Sequence, residues 1–520
     1  MPRCISCNEA YADQLRRCPH CGDRPEGHRA EQASGSAKAE QSKKSGLGYA
    51  AKRKRVRLAF ISLVGAGVAL VISIGLPGKQ DPTDETVAYQ EPILDDGMFS
   101  GPLTKPDEIK PGAAGDGFLV TDVSIVGAEV YVEGTCSPEA VWRVFVDGRP
   151  AVLSARGDRF RAIVPVATGT VEVVAEGIAG DRATLSKPVT PEDDGDKDRT
   201  VLRLQSHAEG STVHDALIRL TVAPAQGVGP SRMESVVLRE VENRITVGDN
   251  TFTLYRAPQG FKFLRVTPQG TYTFLREKDG QEVVLLPAGL AWRGGAEKMP
   301  DEPRHVVRLN AYLLDRTEVT CGQYSAFLHA MAQENDFSMR HNDDPGVVLR
   351  PVGWTSDTPP AGLDDRPVVG IAWYAAYAYA RWVGGDLPTE AAWERAAAGS
   401  LGQAFPWGAA FDETRCRSHK RSAQRADSLP AGVSPYGLLH MTGNVREWCK
   451  DRYDPRWYLR GVRTNPQGPA GPTHRVVRGG SFRSTAEELA LQHRDNVNPV
   501  DRAPDLGFRV AHAWADLDDQ

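Results

Sequence analysis

The sequence predicts a multidomain chain anchored in a membrane, with a small metal-binding head, β-rich units and a large C-terminal domain of mixed helices and strands. Its 520 residues exceed what a single hydrophobic core supports, which indicates several domains. A run of 19 residues without a charge separates a basic N-terminal segment from an acidic remainder. Beyond that run, short stretches of alternating apolar residues precede helix-start and turn signals.

The uncharged run lies at residues 58–76 (LAFISLVGAGVALVISIGL). At about 1.5 Å per residue it spans a hydrocarbon core of about 30 Å, which predicts a single transmembrane helix. A cleaved signal peptide fits poorly, because the run starts after 57 residues and no small-residue cleavage site follows. The basic run at 52–57 predicts a cytoplasmic N-terminus and extracytoplasmic C-terminal domains, in a bacterial inner membrane.

The metal-binding head is predicted from two Cys-x-x-Cys pairs within residues 1–25, Cys4 with Cys7 and Cys18 with Cys21. Four thiolates on two tight turns suit tetrahedral zinc, and the spacing resembles small zinc-ribbon modules. Redox pairs or a disulfide clasp are the alternative, which a cytoplasmic location disfavours. We expect zinc as the cofactor and an unknown cytoplasmic partner for this ribbon.

Charge is distributed unevenly along the chain. The first 57 residues hold 13 Lys and Arg against 6 Asp and Glu, and the rest carries a net charge of −12. Residues 26–57 therefore read as a basic flexible linker, and residues 77–116 as a stalk rich in Pro, Gly and Asp. A basic run beside a membrane more often marks topology or anionic lipid than nucleic acid, so no nucleic-acid partner is expected.

The middle of the chain alternates in the manner of short strands. Residues 117–190 predict an antiparallel β-sandwich that resembles an immunoglobulin-like spacer, with a hairpin turn at Asp147-Gly148. The acidic run at 191–199 lacks the ordered spacing of a calcium loop and is interpreted as a linker. Residues 200–280 predict a second small β-rich unit.

The C-terminal part, residues 283–514, carries motifs in a fixed order. LPTEAAWE predicts a helix that begins after an N-capping Thr389. The motifs are VVLLPAG (283–289), DRTEVT (315–320), PVVGIAW (367–373), LPTEAAWE (387–394), FPWG (405–408), MTGNVREW (441–448), RGGSF (478–482) and GFRV (507–510).

This order resembles the formylglycine-generating enzyme family, also called sulfatase-modifying factors. The resemblance implies an α+β domain whose fold is a variant of the C-type lectin fold. It also implies a copper(I) site, because that family holds copper with two cysteines that follow the RGGS motif. Ser484 and Leu489 occupy those two positions here. Neither side chain replaces a thiolate, so copper is not expected and no catalytic residue is assigned.

The resemblance further implies a calcium site around the Gly-Asn-x-x-Glu-Trp motif. Gly443 and Val445 would offer backbone oxygens and Glu447 a carboxylate, the hard ligands that calcium prefers. His440 stands where the family usually has Asn and is a poor calcium ligand. Alternatively, Glu447 is held by backbone amides or by an arginine.

Three functions remain open at this point. The first is a membrane-anchored protein whose outer domain binds an unknown ligand or protein without catalysis. The second is an enzyme of altered chemistry that uses polar residues near the replaced thiols. The third is a transmembrane sensor that associates through the small residues Gly65 and Ala69. The polar residues considered for the second are Ser484, Glu487, His493, Arg494 and Asp495.

Four cysteines lie in the predicted outer part, where disulfides are permitted. Their pairing does not follow from sequence. They are Cys136, Cys321, Cys416 and Cys449.

Overall fold

The computed structural model describes residues 108–514 apart from 127–128, 166–168, 190–201, 216, 225–230, 248–249, 296–302, 335–337 and 472. The predicted zinc ribbon, basic linker and transmembrane helix, most of the stalk and the acidic linker lie outside these residues. Across the ranges just given, no helix is both long enough and apolar enough to cross a membrane.

Residues 117–188 form two four-stranded antiparallel sheets, ordered β1-β2-β6-β5 and β4-β3-β7-β8. Alternate residues of both sheets, such as Val132 and Val173, meet in one apolar core. Asp147 and Gly148 have φ angles of 47° and 74° and close the β3–β4 hairpin, as predicted. The strands are β1 Leu119–Val126, β2 Glu129–Thr135, β3 Val141–Val146, β4 Arg149–Pro150, β5 Val152–Leu153, β6 Arg159–Pro165, β7 Thr170–Gly177 and β8 Arg182–Pro188.

The next stretch forms two three-stranded sheets, ordered β12-β11-β9 and β10-β14-β13. Leu220, Val222 and Leu254 belong to the core that the two sheets share. The strands are β9 Leu202–Leu204, β10 Thr212–Val213, β11 Leu217–Pro224, β12 Arg232–Val237, β13 Glu242–Val247 and β14 Asn250–Arg256.

The C-terminal domain begins earlier than the sequence predicts. A five-stranded sheet of order β15-β16-β17-β20-β25 crosses the predicted boundary at 280–283, because β16 pairs with β17. A two-stranded sheet β18-β19 and a four-stranded sheet β23-β22-β21-β24 complete the strands. The strands are β15 Phe261–Val266, β16 Tyr272–Arg276, β17 Glu282–Leu286, β18 Gly289–Arg293, β19 His305–Leu309, β20 Tyr312–Asp315, β21 Arg446–Arg452, β22 Arg475–Arg478, β23 Asp495–Val497, β24 Leu506–Gly507 and β25 Ala511–Ala513.

Helix α3 of this domain begins where the local sequence signal places it. Thr389 has extended backbone angles, and its side chain accepts a hydrogen bond from the Ala392 amide, which caps α3. Two apolar cores hold the domain together, one around α1 and α2 and one beneath α3. The helices are α1 Cys321–Glu334, α2 Trp373–Trp382, α3 Glu390–Ala398 and α4 Trp457–Arg460, with 3₁₀ turns at Glu413–Arg415 and Pro430–Gly432.

The β-sandwich packs directly on the C-terminal domain. Trp142 and Ile178 share a buried apolar cluster with Leu290 and Val306. The indole of Trp292 donates a hydrogen bond to the Ile178 carbonyl at 3.0 Å. The sequence-based description of this unit as a spacer therefore omits a contact that buries apolar surface on both sides.

Candidate functional site

The segment between the RGGSF and GFRV motifs begins in a tight glycine turn. Gly479 and Gly480 have φ angles of 92° and 63°, a region that side chains rarely adopt. A Cβ atom on Gly480 would lie 2.9 Å from both the Glu488 carbonyl oxygen and Leu489 Cδ2. The turn therefore holds the following segment close against the strand that leads into it.

Ser484, at the first copper-thiol position, is used within this turn. Its amide donates to the Ser481 carbonyl at 3.1 Å, and its hydroxyl oxygen accepts from the Ser481 amide at 3.1 Å. The residue is 8% exposed. Ser484 therefore stabilises the turn, because its hydroxyl is hydrogen-bonded to the Ser481 amide.

Leu489, at the second thiol position, is completely buried. It packs in an apolar cluster with Phe405 and Cys416. Burial is also the main cause that raises the pKa of the Cys416 thiol. A single protonated thiol in an apolar setting is a poor copper ligand, so the residues present do not fit a copper(I) site.

Arg478 holds the far side of the segment. One Nη atom donates to Glu394 Oε2 at 2.6 Å and to the Leu491 carbonyl at 2.8 Å. The other donates to the carbonyls of Gln492 and His493 at 3.1 and 2.7 Å. The guanidinium therefore fastens the returning chain to helix α3, the fold-holding role that its motif suggests.

Glu447, the carboxylate of the predicted calcium site, is paired with Arg509. Arg509 Nε and Nη2 donate to its two carboxylate oxygens at 2.7 Å each, and the Trp393 indole donates at 2.7 Å. All three side chains are fully buried. The arrangement matches the alternative in which Glu447 is held by an arginine.

The other predicted calcium ligands lie on the same turn. The Gly443 amide donates to the Gly479 carbonyl at 2.9 Å, and Val445 is fully buried. Burial, and then Arg509, lowers the pKa of nearby His440 to about 4, so its imidazole is neutral. Among the described residues, no group of three or more His, Cys, Asp or Glu is placed to hold a metal ion. Calcium binding stays a prediction.

Glu318 was not selected from the sequence, although it belongs to the DRTEVT motif. One carboxylate oxygen accepts from the Asn444 side chain at 2.9 Å, and the other is buried without a hydrogen-bond partner in the described structure. Burial raises the pKa of this carboxyl to about 8; Arg509 opposes that rise and Glu447 adds to it. The carboxyl is therefore protonated near neutral pH.

The polar residues considered for altered chemistry separate into different environments. Arg494 is buried and forms a two-point ion pair with Glu390, at 2.5 and 3.1 Å. Glu487 is exposed on the surface. His493 and Asp495 remain together, half-buried, with Nε2 and Oδ1 3.2 Å apart.

A hydrogen-bonded chain links Asp495 to the glycine turn through two residues that sequence reasoning missed. Arg446 bridges Asp495 at 3.4 Å and Asp505 at 2.9 Å. Asp505 in turn accepts from the buried hydroxyl of Ser481 at 2.9 Å. The polar groups at this edge of the four-stranded sheet are therefore engaged with one another.

A cavity of about 460 Å³ lies elsewhere on the domain. Asp386 and Lys450, which form a 3.0 Å ion pair, stand in its wall together with Asn310 and Gln467. None of the metal-ligand or altered-chemistry candidates from the sequence lines it.

The four cysteines in the described part of the chain are free and buried thiols: Cys136, Cys321, Cys416 and Cys449. Burial raises the pKa of Cys136 and of Cys321 to about 12. The pKa of the Cys449 thiol is also raised, mainly by burial. These thiols behave as small apolar side chains.

Comparison with known proteins identifies the C-terminal half. Residues 271–514 match the model for the sulfatase-modifying factor enzyme 1-like domain. The formylglycine-generating enzyme of Streptomyces coelicolor is 32% identical over 290 residues, which cover 46% of this chain and 91% of that enzyme. The chain belongs to the sulfatase-modifying factor family.

The proteins that this chain resembles differ in overall length and in the activity that their names give. Serine/threonine-protein kinase pkn1 of Chlamydia caviae is 35% identical over 252 residues, 47% of this chain. This chain spans only 39% of the length of that kinase. The solved structure of PvdO from Pseudomonas aeruginosa is 21% identical and covers 50% of this chain and 100% of its own, with a TM-score of 0.38.

Proposed function

We propose that this chain is a membrane-anchored binding protein whose sulfatase-modifying factor domain recognises a ligand or protein without catalysing copper-dependent oxidation. The observation that carries the proposal is the environment of Leu489, completely buried among apolar side chains at a copper-thiol position. A hydroxyl and an aliphatic side chain supply no soft ligand for copper(I).

The neighbouring residues support the same proposal. The hydroxyl of Ser484 accepts a hydrogen bond from the Ser481 amide within the turn, and Arg494 forms an ion pair with Glu390. Two relatives described above are named for different activities, protein kinase and formylglycine generation, so the resemblance alone does not assign an activity.

A copper titration tests the loss of the oxidase site. The full-length protein is titrated with copper(I) against a competing chelator, and its products with a cysteine-containing sulfatase peptide are analysed by mass spectrometry. Because the predicted zinc ribbon contains thiols, every variant also carries Cys4→Ser, Cys7→Ser, Cys18→Ser and Cys21→Ser. We expect neither a tightly bound copper ion nor formylglycine.

The double variant Ser484→Cys/Leu489→Cys in the same background is the matched control, since it restores the thiol pair. It should gain one copper(I) site, and Cys416→Ser shows whether the neighbouring thiol contributes. Stoichiometric thiolate-bound copper or formylglycine product without the restored pair would refute the proposal.

Anchoring is the second part of the proposal. Residues 58–76 would hold the chain in a bacterial inner membrane, with the predicted ribbon of Cys4, Cys7, Cys18 and Cys21 binding zinc in the cytoplasm and an unknown partner there. Fractionation of cells that express the full chain, or a chain with 58–76 deleted, tests it. We expect only the full chain to resist carbonate extraction from membranes, and equal extraction of the two would overturn the anchor.

A further inference from the structure

Strands β21 and β22 place two arginines directly opposite each other. Arg452 and Arg475 are register partners in this antiparallel ladder. Like charges at directly opposed positions are destabilising, and burial of one of them increases the cost. Arg475 is only 6% exposed.

The direct contacts of Arg475 include no ion pair within the described residues, although Asp451 and Asp343 lie close enough to favour its charge. Its Nη1 donates to the Lys450 carbonyl at 2.7 Å, and the guanidinium lies 3.6 Å from the centroid of the Trp373 ring. Its Nε atom is buried and has no hydrogen-bond partner among the described residues. Within that same part of the chain, no carboxylate oxygen of an Asp or Glu forms an ion pair with Arg475.

Several other buried arginines of this domain differ from Arg475, although Arg395, at 3% exposure, also has donors without a hydrogen-bond partner among the described residues. Arg276, Arg478, Arg494 and Arg509 each form at least one ion pair with a buried carboxylate. Burial, and then the proximity of Arg452, lowers the pKa of Arg475 to about 10, in keeping with a cation that lacks a partner.

Two side chains beside Arg475, those of His341 and Arg452, are partly exposed to solvent. The His341 ring packs against Trp373 at 5.3 Å and Tyr377 at 5.0 Å, and its side chain is 24% exposed. Arg452 is 29% exposed and pairs with Asp343 at 3.2 Å. Asp343, which pairs with Arg452, is 57% exposed.

We propose that Arg452 and Arg475, beside His341, form a binding site for the oxyanion group of a ligand, a carboxylate or a phosphate or sulfate. Arginine presents its donors in a planar fork that matches two oxygens of such a group. The bound anion relieves the repulsion between the two arginines. The site gives a ligand class to the proposed binding domain, and it rests on that proposal for its biological role.

Anion titrations of the full-length protein test the site. Acetate, inorganic phosphate and sulfate are titrated separately, with chloride holding the ionic strength constant, and binding is followed by calorimetry. We expect at least one of them to bind saturably below about 100 mM beyond any effect of chloride. The planar and tetrahedral anions are compared directly, which identifies the preferred oxyanion geometry.

Variants assign the binding to the two arginines. Arg475→Met and Arg452→Gln should each weaken it by about tenfold, whereas the exposed Arg232→Gln on β12 should leave it unchanged. Arg475→Lys keeps the charge without the planar fork, so it should fold even if Arg475→Met does not, and still bind less tightly. Asp343→Asn should tighten binding by about threefold, because it removes one carboxylate that competes with the anion for Arg452.

The site is refuted if none of the three anions binds, or if Arg475→Lys binds as tightly as the unmodified protein. These results are independent of the copper titration. If the protein binds neither copper nor any of the three anions, only the oxyanion site is refuted. If it binds both copper and an anion, only the proposed function is refuted.

Discussion

Glu318 and Glu447 lie in the interior of the C-terminal domain near one guanidinium, that of Arg509. Arg509 donates two hydrogen bonds of 2.7 Å to the carboxylate of Glu447. Glu318 receives no such hydrogen bond from Arg509, and its raised pKa keeps its carboxyl protonated. Burial of a carboxyl without full compensation is the physical cause.

The protonated Glu318 predicts a dependence of stability on pH. Its pKa is raised from 4.5 to about 8, so the native state holds a proton that the unfolded chain releases between these values. The contribution of Glu318 to the free energy of unfolding should therefore fall as pH rises through this window, by up to about 1.4 kcal/mol per pH unit. The buried His305, His440 and His512, whose pKa values are lowered mainly by burial, contribute with the opposite sign in the acidic part of the window. Urea denaturation across the window measures the slope.

The variant Glu318→Gln isolates the contribution, because it removes the titration and keeps the hydrogen bond from Asn444. Asp451, whose pKa burial raises to about 7, contributes with the same sign in both proteins. Glu487→Gln, at an exposed carboxylate, should retain the original slope. An unchanged slope in Glu318→Gln would contradict the assignment.

The buried pair Arg509–Glu447 predicts a large loss of stability when one charge is removed and a partial recovery when both are removed. Arg509→Met leaves the Glu447 carboxylate buried without its partner and should cost about 3–5 kcal/mol of unfolding free energy. The double variant Arg509→Met/Glu447→Gln removes both charges and should recover part of that loss. Chemical denaturation of both variants measures this, and a double variant less stable than the single would oppose the account.

Helix α3 shows what local sequence determines at the level of an element. Its start at Thr389 follows from the side-chain cap and the acidic residue in the first turn. The hairpin at Asp147-Gly148 is likewise determined by its own turn residues, which adopt positive φ angles. Membership of β15 and β16 in the C-terminal sheet was not predicted, because alternating strands of neighbouring units look alike until their pairing is known.

The cap of α3 can be tested alone. Thr389→Ala removes the acceptor for the Ala392 amide and should cost about 1 kcal/mol, whereas Thr389→Ser should keep most of the stability. Equilibrium denaturation of the two variants is the measurement. Equal stability of the alanine and serine variants would show that the hydroxyl does not cap the helix.

The whole molecule depends on contact between the β-sandwich and the C-terminal domain. Trp142 of the sandwich and Leu290 of the domain belong to one buried cluster. The two parts are therefore expected to unfold together, since exposing either face uncovers apolar surface on the other.

Truncation of Trp142 tests this coupling. Trp142→Ala should lower the unfolding free energy by about 3–5 kcal/mol and keep a single transition by both fluorescence and limited proteolysis. The control Ile163→Ala, at a side chain 43% exposed on the sandwich, should change stability by less than about 0.5 kcal/mol. Two separate transitions, with only one shifted by Trp142→Ala, would show independent domains.

The sequence by itself determined the features that depend on neighbouring residues: the uncharged run at 58–76, the order of the family motifs, and Ser484 and Leu489 in place of thiols. The tertiary structure decided which charges are satisfied. Glu447 meets Arg509 across 62 residues, whereas Arg475 meets another arginine across the ladder. The physical reason is that spacing and propensity act over a few residues, while the partner of a buried charge is chosen by packing between distant segments.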